Sequence, residues 1–230
     1  MNDLPDRLQA IRDRIAAAAT RCGRDPSSVA LLAVSKTFPV AAIQAAVDAG
    51  QLRFGENKVQ EIMAKAPLLP ASLEWHLIGH LQSNKVRKVL PLAKAIHSIG
   101  SLDLARDVDR IAGELGLVPK VYLAVNLAAE DSKHGFTAEQ LRAQLEALHA
   151  LKHLEIQGLM CIPPFASDPA KSRPYFVQLR ELRDEIEQRG GAPLPLLSMG
   201  MSHDFEIAIE EGATIVRVGS AIFGERKLRV

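Results

Sequence analysis

One lysine lies where its amine could act as a nucleophile. Lys36 closes the apolar run VALLAVSK over residues 29–36, which predicts a buried β-strand. Burial disfavours the ammonium form, so we expect the pKa of Lys36 to be lowered. A neutral amine is the form that attacks an aldehyde to give a Schiff base. A lysine that extends past the strand end into solvent is the alternative interpretation.

Two turns that contain glycine and serine could hold an anion. The run PLLSMGMS ends at Ser202, and TIVRVGSA contains Gly219 and Ser220 just before a short helical pattern. Backbone N–H groups at a helix start can bind a phosphate, and glycine lets that backbone approach closely. Ser202 could instead serve only as an N-cap, with Asp204 and Glu206 in the first turn of the next helix.

An arginine and an asparagine lie near the ends of other runs. Arg217 is two residues before Gly219 and should therefore point to the same face of its strand. An inward arginine needs a ligand or a carboxylate, and Glu56 is the candidate for the second case. Asn57 follows the segment FGE and should lie on the rim, where Asn126 and Lys133 could also reach a ligand.

The histidines and cysteines predict no metal site. His76 and His80 are four residues apart and should share one face of a strand, but no cysteine or carboxylate pattern completes a ligand set. Cys22 and Cys161 are far apart and form no CxxC motif, so neither a disulfide nor a zinc site is expected. A role for Cys161 beyond packing stays open.

A lysine amine and a phosphate site together fit a phosphorylated aldehyde. Pyridoxal 5′-phosphate (PLP) is the commonest such cofactor, and an aspartate or an arginine usually meets its pyridine nitrogen. Arg217 would take that position, and because arginine stays charged it would keep the nitrogen unprotonated. A Schiff-base aldolase, in which Lys36 attacks a phosphorylated sugar directly, is an alternative.

Apolar runs and helical patterns alternate along the chain. An opening amphipathic helix precedes them, with Leu4, Leu8, Ile11 and Ile15 on one face. A capping-box pattern, Thr137 with Gln140, predicts a later helix start, and Gly190-Gly191 should end another helix. The runs that predict strands cover residues 29–36, 52–57, 74–80, 95–100, 120–127, 154–163, 195–202 and 214–221.

Eight such units in 230 residues predict a closed (β/α)8 TIM barrel with an extra N-terminal helix, folded as a single domain over residues 1–230. An open, doubly wound sheet is the main alternative. In barrels the chemistry lies at the carboxyl ends of the strands, and phosphate commonly binds after the seventh and eighth strands. Lys36, Ser202 and Gly219 would then meet at one end of the barrel.

Composition argues against several kinds of partner. The chain has 28 basic and 27 acidic residues, a net charge of +1, so no nucleic-acid or anionic membrane surface is predicted. Its first residues are amphipathic and contain acids, unlike a signal peptide, and no apolar run reaches the length of a membrane span. A cytoplasmic protein is expected.

Seven segments resemble those of the pyridoxal phosphate homeostasis protein family, whose barrel is similar to the N-terminal domain of alanine racemase. They are AVSKTFP, RFGENKVQE, WHLIGHLQSNK, HSIGSLDLA, GLMCIPP, LSMGMSHDFEIAI and VRVGSAIFGER, and they extend from residue 33 to 226. The departures from the family are small. Lys58 stands where an aromatic residue is frequent, and Ser220 where threonine is frequent.

The resemblance implies a role for each matching residue. Lys36 would hold PLP as a Schiff base, Arg217 would face the ring nitrogen, and Asn57 would contact the cofactor. The phosphate would be held by Met201, Ser202, Gly219 and Ser220. The resemblance also implies a monomer or weakly associating protein that takes part in PLP homeostasis, with no firmly assigned turnover.

The sequence favours a binding protein over an amino-acid racemase. A racemase needs a second acid/base beside the lysine, and the chain ends at Val230 without the further domain that supplies a tyrosine in alanine racemases. Tyr122 and Tyr175 lie away from the predicted rim, which leaves His80 or a water as the second base in a racemase-like enzyme. PLP-dependent apo-enzymes would be transient partners. The amines of Lys85, Lys133 or Lys227 would offer a second docking point for PLP, and an ordinary solvated surface is the alternative interpretation of these lysines.

Overall fold

Eight parallel strands close into a barrel. The structure, a computed structural model, describes residues 3–128, 134–189 and 193–224. Each strand lies within the run that predicted it, and most runs continue for one to three residues past the strand into the loop at its carboxyl end. The strands are β1 Ala30–Val34, β2 Arg53–Glu56, β3 Glu74–Leu77, β4 Ala95–Ile99, β5 Lys120–Ala124, β6 Glu155–Met160, β7 Leu196–Met201 and β8 Ile215–Val218.

Helices separate the strands and pack outside them. The predicted N-terminal helix begins after the N-cap Asp3 and buries Leu4, Leu8, Ile11 and Ile15. The predicted capping box forms as well, with Thr137 and Gln140 each bonding the other's backbone N–H. The helices are α1 Leu4–Arg21, α2 Val40–Asp48, α3 Val59–Lys65, α4 Val86–Val89, α5 Leu102–Leu115, α6 Ala138–His149, α7 Arg173–Gln188, α8 Phe205–Glu210 and α9 Ser220–Phe223. The predicted stop at Gly190-Gly191 lies outside the described residues.

Pairing of the first strand with the last closes the sheet. The strand order is β1 to β8 in sequence, and β1 pairs with β8 in a register that sets Leu32 beside Arg217. This confirms the (β/α)8 barrel with its extra N-terminal helix, and the open doubly wound sheet is wrong. Closure places the loop after β1 next to the loops after β7 and β8, as the predicted site requires.

Apolar residues fill the barrel on both sides of the sheet. A large cluster lies between strands and helices, and a small one lies inside the barrel. The interior cluster contains Leu32, Ala95, Tyr122, Met160 and Ile215, so the barrel is a packed core and not a channel. Among the described residues, no helix combines the length and the apolar character that crossing a membrane requires.

Candidate functional site

A cavity of about 530 Å³ lies at the carboxyl ends of the strands. The residues after several strands line it, so the barrel loops build a single site. All seven residues predicted to bind the cofactor are among them: Lys36, Asn57, Met201, Ser202, Arg217, Gly219 and Ser220.

The loop that carries Lys36 has an unusual backbone. Thr37 has a φ of 69°, the left-handed region, which no other non-glycine residue in the described part of the chain adopts. For a β-branched residue this conformation is strained and needs support from its surroundings. The Thr37 N–H donates to Glu61 Oε2 at 2.9 Å, which supplies part of that support.

A buried ionic cluster lies behind this loop, made of Glu56, Glu61 and Lys65. Lys65 Nζ is 2.8 Å from Glu56 Oε1 and 2.8 Å from Glu61 Oε2. It also donates to the Ser35 carbonyl at 3.0 Å, and the Ser35 hydroxyl donates to Glu56 Oε1 at 2.7 Å. The cluster thus touches the residue before Lys36 as well as the residue after it.

The two carboxylates of the cluster have opposite pKa shifts. Burial, together with the neighbouring Glu61 carboxylate, raises the pKa of Glu56 to about 7. Burial alone would also raise the pKa of Glu61, but hydrogen bonds with Glu56, Lys65 and the Thr37 N–H lower it to about 2. Between about pH 2 and about pH 7 the pair therefore holds one proton, and the opposite pKa shifts favour Glu56 as the residue that carries it.

The loops after β7 and β8 are joined by a hydroxyl. The N–H of Gly219 donates to Ser202 Oγ at 3.1 Å. A Cβ at Gly219 would lie 3.2 Å from the Val34 carbonyl oxygen, so this glycine lets the loop approach the end of β1. The backbone of the candidate phosphate loop therefore lies close to the strand that precedes Lys36.

The prediction that Ser202 caps the following helix is wrong. Helix α8 begins at Phe205, and its N-cap position is Asp204, which therefore precedes the first turn. The Asp204 carboxylate accepts from the Met201 N–H at 2.7 Å, which closes the turn. Helix start and cap lie two residues later than predicted, and the Ser202 hydroxyl is left to bond the neighbouring loop.

Arg217 is held inside the barrel by oxygen atoms of Ser198, in β7, and of Cys161, the residue after β6. Its Nη1 donates to the carbonyl and to the hydroxyl of Ser198, both at 2.7 Å, and its Nη2 donates to the Cys161 carbonyl at 2.9 Å. Burial lowers the pKa of the guanidinium. Glu56, the alternative partner, bonds Lys65 and Ser35 instead. The guanidinium is thereby fixed in position and also lines the cavity.

A chain of neutral histidines continues from this arginine. Ser198 Oγ is 2.8 Å from His97 Nδ1, and His97 Nε2 is 2.8 Å from His76 Nδ1. Since Arg217 can only donate, the Ser198 hydroxyl accepts from it and can donate to His97, which then carries its own proton on Nε2. Burial lowers the pKa of His76 to about 4 and that of His97 well below its ordinary value. Both rings are therefore neutral at pH 7, and no second buried positive charge lies beside the Arg217 guanidinium.

Comparison with known proteins assigns the chain to a family. The family described as "Alanine racemase, N-terminal domain" matches residues 7–227. The pyridoxal phosphate homeostasis protein of Aquifex aeolicus is 44% identical over 223 residues, which cover 96% of this chain and 98% of the relative. That of Escherichia coli K12 is 42% identical over 231 residues and covers 98% of each chain. This chain belongs to the pyridoxal phosphate homeostasis protein family.

Solved structures agree with that membership. PipY of Synechococcus elongatus PCC7942, a structure with PLP bound, has a TM-score of 0.86 and 44% identity, and the match covers 96% of this chain and 100% of that one. Alanine racemase of Clostridium difficile 630 has a TM-score of 0.71 at 14% identity, with 95% of this chain and 60% of that one covered. The second likeness concerns the barrel fold alone.

Other predicted residues have different outcomes in this family member. Asn126 lines the cavity, and Lys133 lies outside the described residues. The expectation that His76 and His80 share a face is wrong, because β3 ends at Leu77. His76 lies inside the barrel, whereas His80 lies in the loop beyond β3 and lines the cavity.

Several residues of the site were missed in the sequence. His97 and Ser198 meet across 101 positions, and Lys65 reaches back 30 positions to Ser35, so neither contact is visible as a local motif. One signal was available for His97 and Ser198, since each is a polar residue inside an otherwise apolar run. Ser98 also lines the cavity, and its buried hydroxyl has no hydrogen-bond partner among the described residues.

Proposed function

We propose that this chain binds PLP as a Schiff base on Lys36 and takes part in intracellular PLP homeostasis. The observation that carries the proposal is the meeting of Lys36, Arg217 and the 202 and 219–220 loops around one cavity. The names of the relatives and the PLP-bound PipY structure support the choice of cofactor. When bound, PLP would supply an aldehyde that condenses with the lysine amine, with loss of water, and an electron-withdrawing ring.

The lining of the cavity fits this group chemically. Lys36 offers an amine for the aldehyde. The phosphate would be held at the end of β7, by Met201 and Ser202, and at the junction of β8 and α9, by Gly219 and Ser220. Glycine at position 219, where a Cβ would lie 3.2 Å from the Val34 carbonyl oxygen, lets the proposed phosphate site lie against the end of the strand that leads to Lys36. The unpartnered Ser98 hydroxyl offers one more hydrogen bond to a polar ring substituent.

Arg217 and Asn57 complete the proposed cofactor contacts. Arg217 would face the pyridine nitrogen, and because a guanidinium donates but never accepts a hydrogen bond it would leave that nitrogen unprotonated. Its fixed bonds with Ser198 and Cys161 keep it from turning away. Asn57, which follows β2 and lines the cavity, would also contact the cofactor.

A binding role fits the site better than a racemase does. Racemisation needs an acid/base on each side of the substrate carbon. Tyr122 is buried and stacks on His97 at 4.2 Å between ring centroids, and within the described residues neither tyrosine lines the cavity. His80, His134 and His203 line it, so a racemase-like enzyme that uses His80 is the second candidate.

Reduction and mass spectrometry test the proposal. Protein loaded with PLP and treated with borohydride should carry one phosphopyridoxyl group on Lys36, and Lys36→Ala should carry none at that position. Lys58→Ala is the matched control, because this exposed lysine lies beside Asn57 and does not line the cavity. Labelling of wild-type protein only at other lysines would refute the Schiff base.

Two further measurements separate a carrier from an enzyme. If the protein transfers PLP by direct contact, PLP-loaded protein should restore the activity of a PLP-dependent apo-enzyme faster than PLP dissociates from the loaded protein into solution. Racemisation of an amino acid at steady state, lost in His80→Ala as well as in Lys36→Ala, would favour the enzyme instead.

A further inference from the structure

The ionic cluster Glu56, Glu61 and Lys65 touches the Lys36 loop on both sides of the lysine. From this geometry we propose that Glu61 and Lys65 are positioning residues, which hold Ser35 and Thr37 so that the Lys36 side chain is directed into the cavity. The inference rests on the proposed function, in which Lys36 is the residue that binds PLP. It assigns a role to the segment ENKVQEIMAK beyond the single cofactor contact of Asn57.

The tether after Lys36 is the bond from the Thr37 N–H to Glu61 Oε2, 2.9 Å long. Thr37 has a φ of 69°, where a β-branched residue is destabilised relative to the extended or right-handed regions. The loop therefore tends to relax, and an acceptor that is fixed on another element opposes the relaxation. Glu61 is such an acceptor because it lies in α3 and is itself bound by Lys65 at 2.8 Å.

The tether before Lys36 is the bond from Lys65 Nζ to the Ser35 carbonyl, 3.0 Å long. The Lys65 side chain is only 11% exposed, and both of its carboxylate partners lie at 2.8 Å, so it has a fixed position. The Ser35 carbonyl also accepts from the Phe38 N–H at 3.1 Å, which closes a tight turn around residues 36 and 37. Two side chains one turn apart on α3 thus hold the backbone on each side of Lys36: the Ser35 carbonyl before it and the Thr37 N–H after it.

Loss of the Thr37 tether should change how PLP binds before it changes the fold. The barrel core does not depend on this bond, since the Glu61 side chain is 21% exposed and lies at the surface of the cluster. If the φ angle of Thr37 relaxed to a negative value, the peptide bond between Lys36 and Thr37 would rotate. The Lys36 side-chain amine would then move away from the position of the PLP aldehyde. Breaking a hydrogen bond to a charged acceptor corresponds to a factor of about 10 to 100 in an equilibrium constant.

The experiment compares Glu61→Ala, Glu61→Gln and Glu211→Ala in the full chain. Glutamine keeps an oxygen that can accept from the Thr37 N–H, whereas alanine does not. Glu211 is the matched control: its side chain is 12% exposed and bound by Arg173 and Arg180, remote from the loop. The measurements are the Kd for PLP, the rate of appearance of the Schiff-base absorbance, the urea midpoint, and hydrogen exchange of the Thr37 amide.

We expect Glu61→Ala to weaken PLP binding by about tenfold or more, with slower Schiff-base formation and faster exchange at Thr37. Glu61→Gln and Glu211→Ala should stay within about threefold of the wild-type Kd, although Glu211→Ala should lower the urea midpoint. If Glu61→Ala does not unfold cooperatively, Glu61→Asp, whose carboxylate is one methylene shorter, takes its place with the same expectation.

Wild-type affinity and rate in Glu61→Ala would overturn the positioning role. Equal weakening in Glu61→Gln and Glu61→Ala would also overturn it, since the negative charge would then matter and not the bond to Thr37. Failure of the proposed function looks different: the wild-type protein itself would then give no borohydride-dependent label on Lys36.

Discussion

Glu56→Gln should change how the stability of the protein depends on pH. Glu56 has no exposed surface, and its pKa is raised from 4.5 to about 7. Because the folded state binds the Glu56 proton more tightly than the unfolded state does, this proton stabilises the fold. The stabilisation is complete below pH 4.5, the ordinary pKa of a glutamate. This contribution is lost as the pH rises from about 4.5 to about 7. Each pKa unit corresponds to about 1.4 kcal/mol, so the loss amounts to about 3 kcal/mol at most.

The assay is urea denaturation of wild-type and Glu56→Gln protein at half-unit steps from pH 4.5 to 8. Glutamine does not titrate, so wild-type minus variant free energy of unfolding should fall by up to about 3 kcal/mol across this range and then level off. The difference is needed because other groups titrate nearby. The pKa of His76 is lowered from 6.5 to about 4, so its contribution to the free energy of unfolding rises with pH over part of the range. This contribution is the same in both proteins and cancels in the difference.

A surface carboxylate supplies the control for this experiment. Glu185 is hydrogen-bonded by Arg142, which lowers its pKa, so its stabilising contribution is present above pH 4.5 and is lost only as the pH falls below that value. Wild type minus Glu185→Gln should therefore be flat from pH 4.5 to 8. A flat difference for Glu56→Gln as well would refute the raised pKa and the shared proton in the cluster.

Three further substitutions test the hydrogen bonds and the backbone near the cavity. Ser198→Ala removes a hydroxyl that accepts from Arg217 and should lower the free energy of unfolding by about 1–3 kcal/mol in urea, whereas Ser98→Ala, whose hydroxyl has no partner among the described residues, should change it little. Equal effects of the two would contradict the network. Gly200→Ala should lower the free energy of unfolding in urea by about 3 kcal/mol. Gly200 has a φ of 90°, and the added Cβ would lie 2.6 Å from Ala208 Cβ. An unchanged urea midpoint would contradict this.

The barrel could be predicted because its signals are local. Most strands lie in short runs rich in apolar residues, with β2 (RFGE) and β3 (EWHL) as the exceptions, and each long helix repeats its apolar residues every three or four positions. The fold class then predicts where the carboxyl ends of the strands lie, because a closed barrel brings the residues after β1, β7 and β8 to the same end. Lys36, Ser202 and Gly219 could be assigned to one site without any knowledge of the contacts between them.

The contacts that orient the site could not be predicted. Whether Ser202 caps α8 or bonds Gly219 depends on the turn that Asp204 closes, and both arrangements suit the same residue types. The pairing of His76 with His97 depends on how the strands tilt and stagger around the barrel, which a single sequence does not specify. Interior polar chains of this kind need a register before their members can be matched.

Closure of the sheet by β1 and β8 has a consequence for synthesis on the ribosome. Residues 30–34 emerge before their partner strand, which spans residues 215–218 and becomes available about 180 residues later. Until then one side of β1 has unpaired backbone groups beside apolar side chains, a state that invites association with other chains. The barrel therefore stays open, and the cavity that residues 217–220 help to line cannot form, until the segment 215–218 has been made.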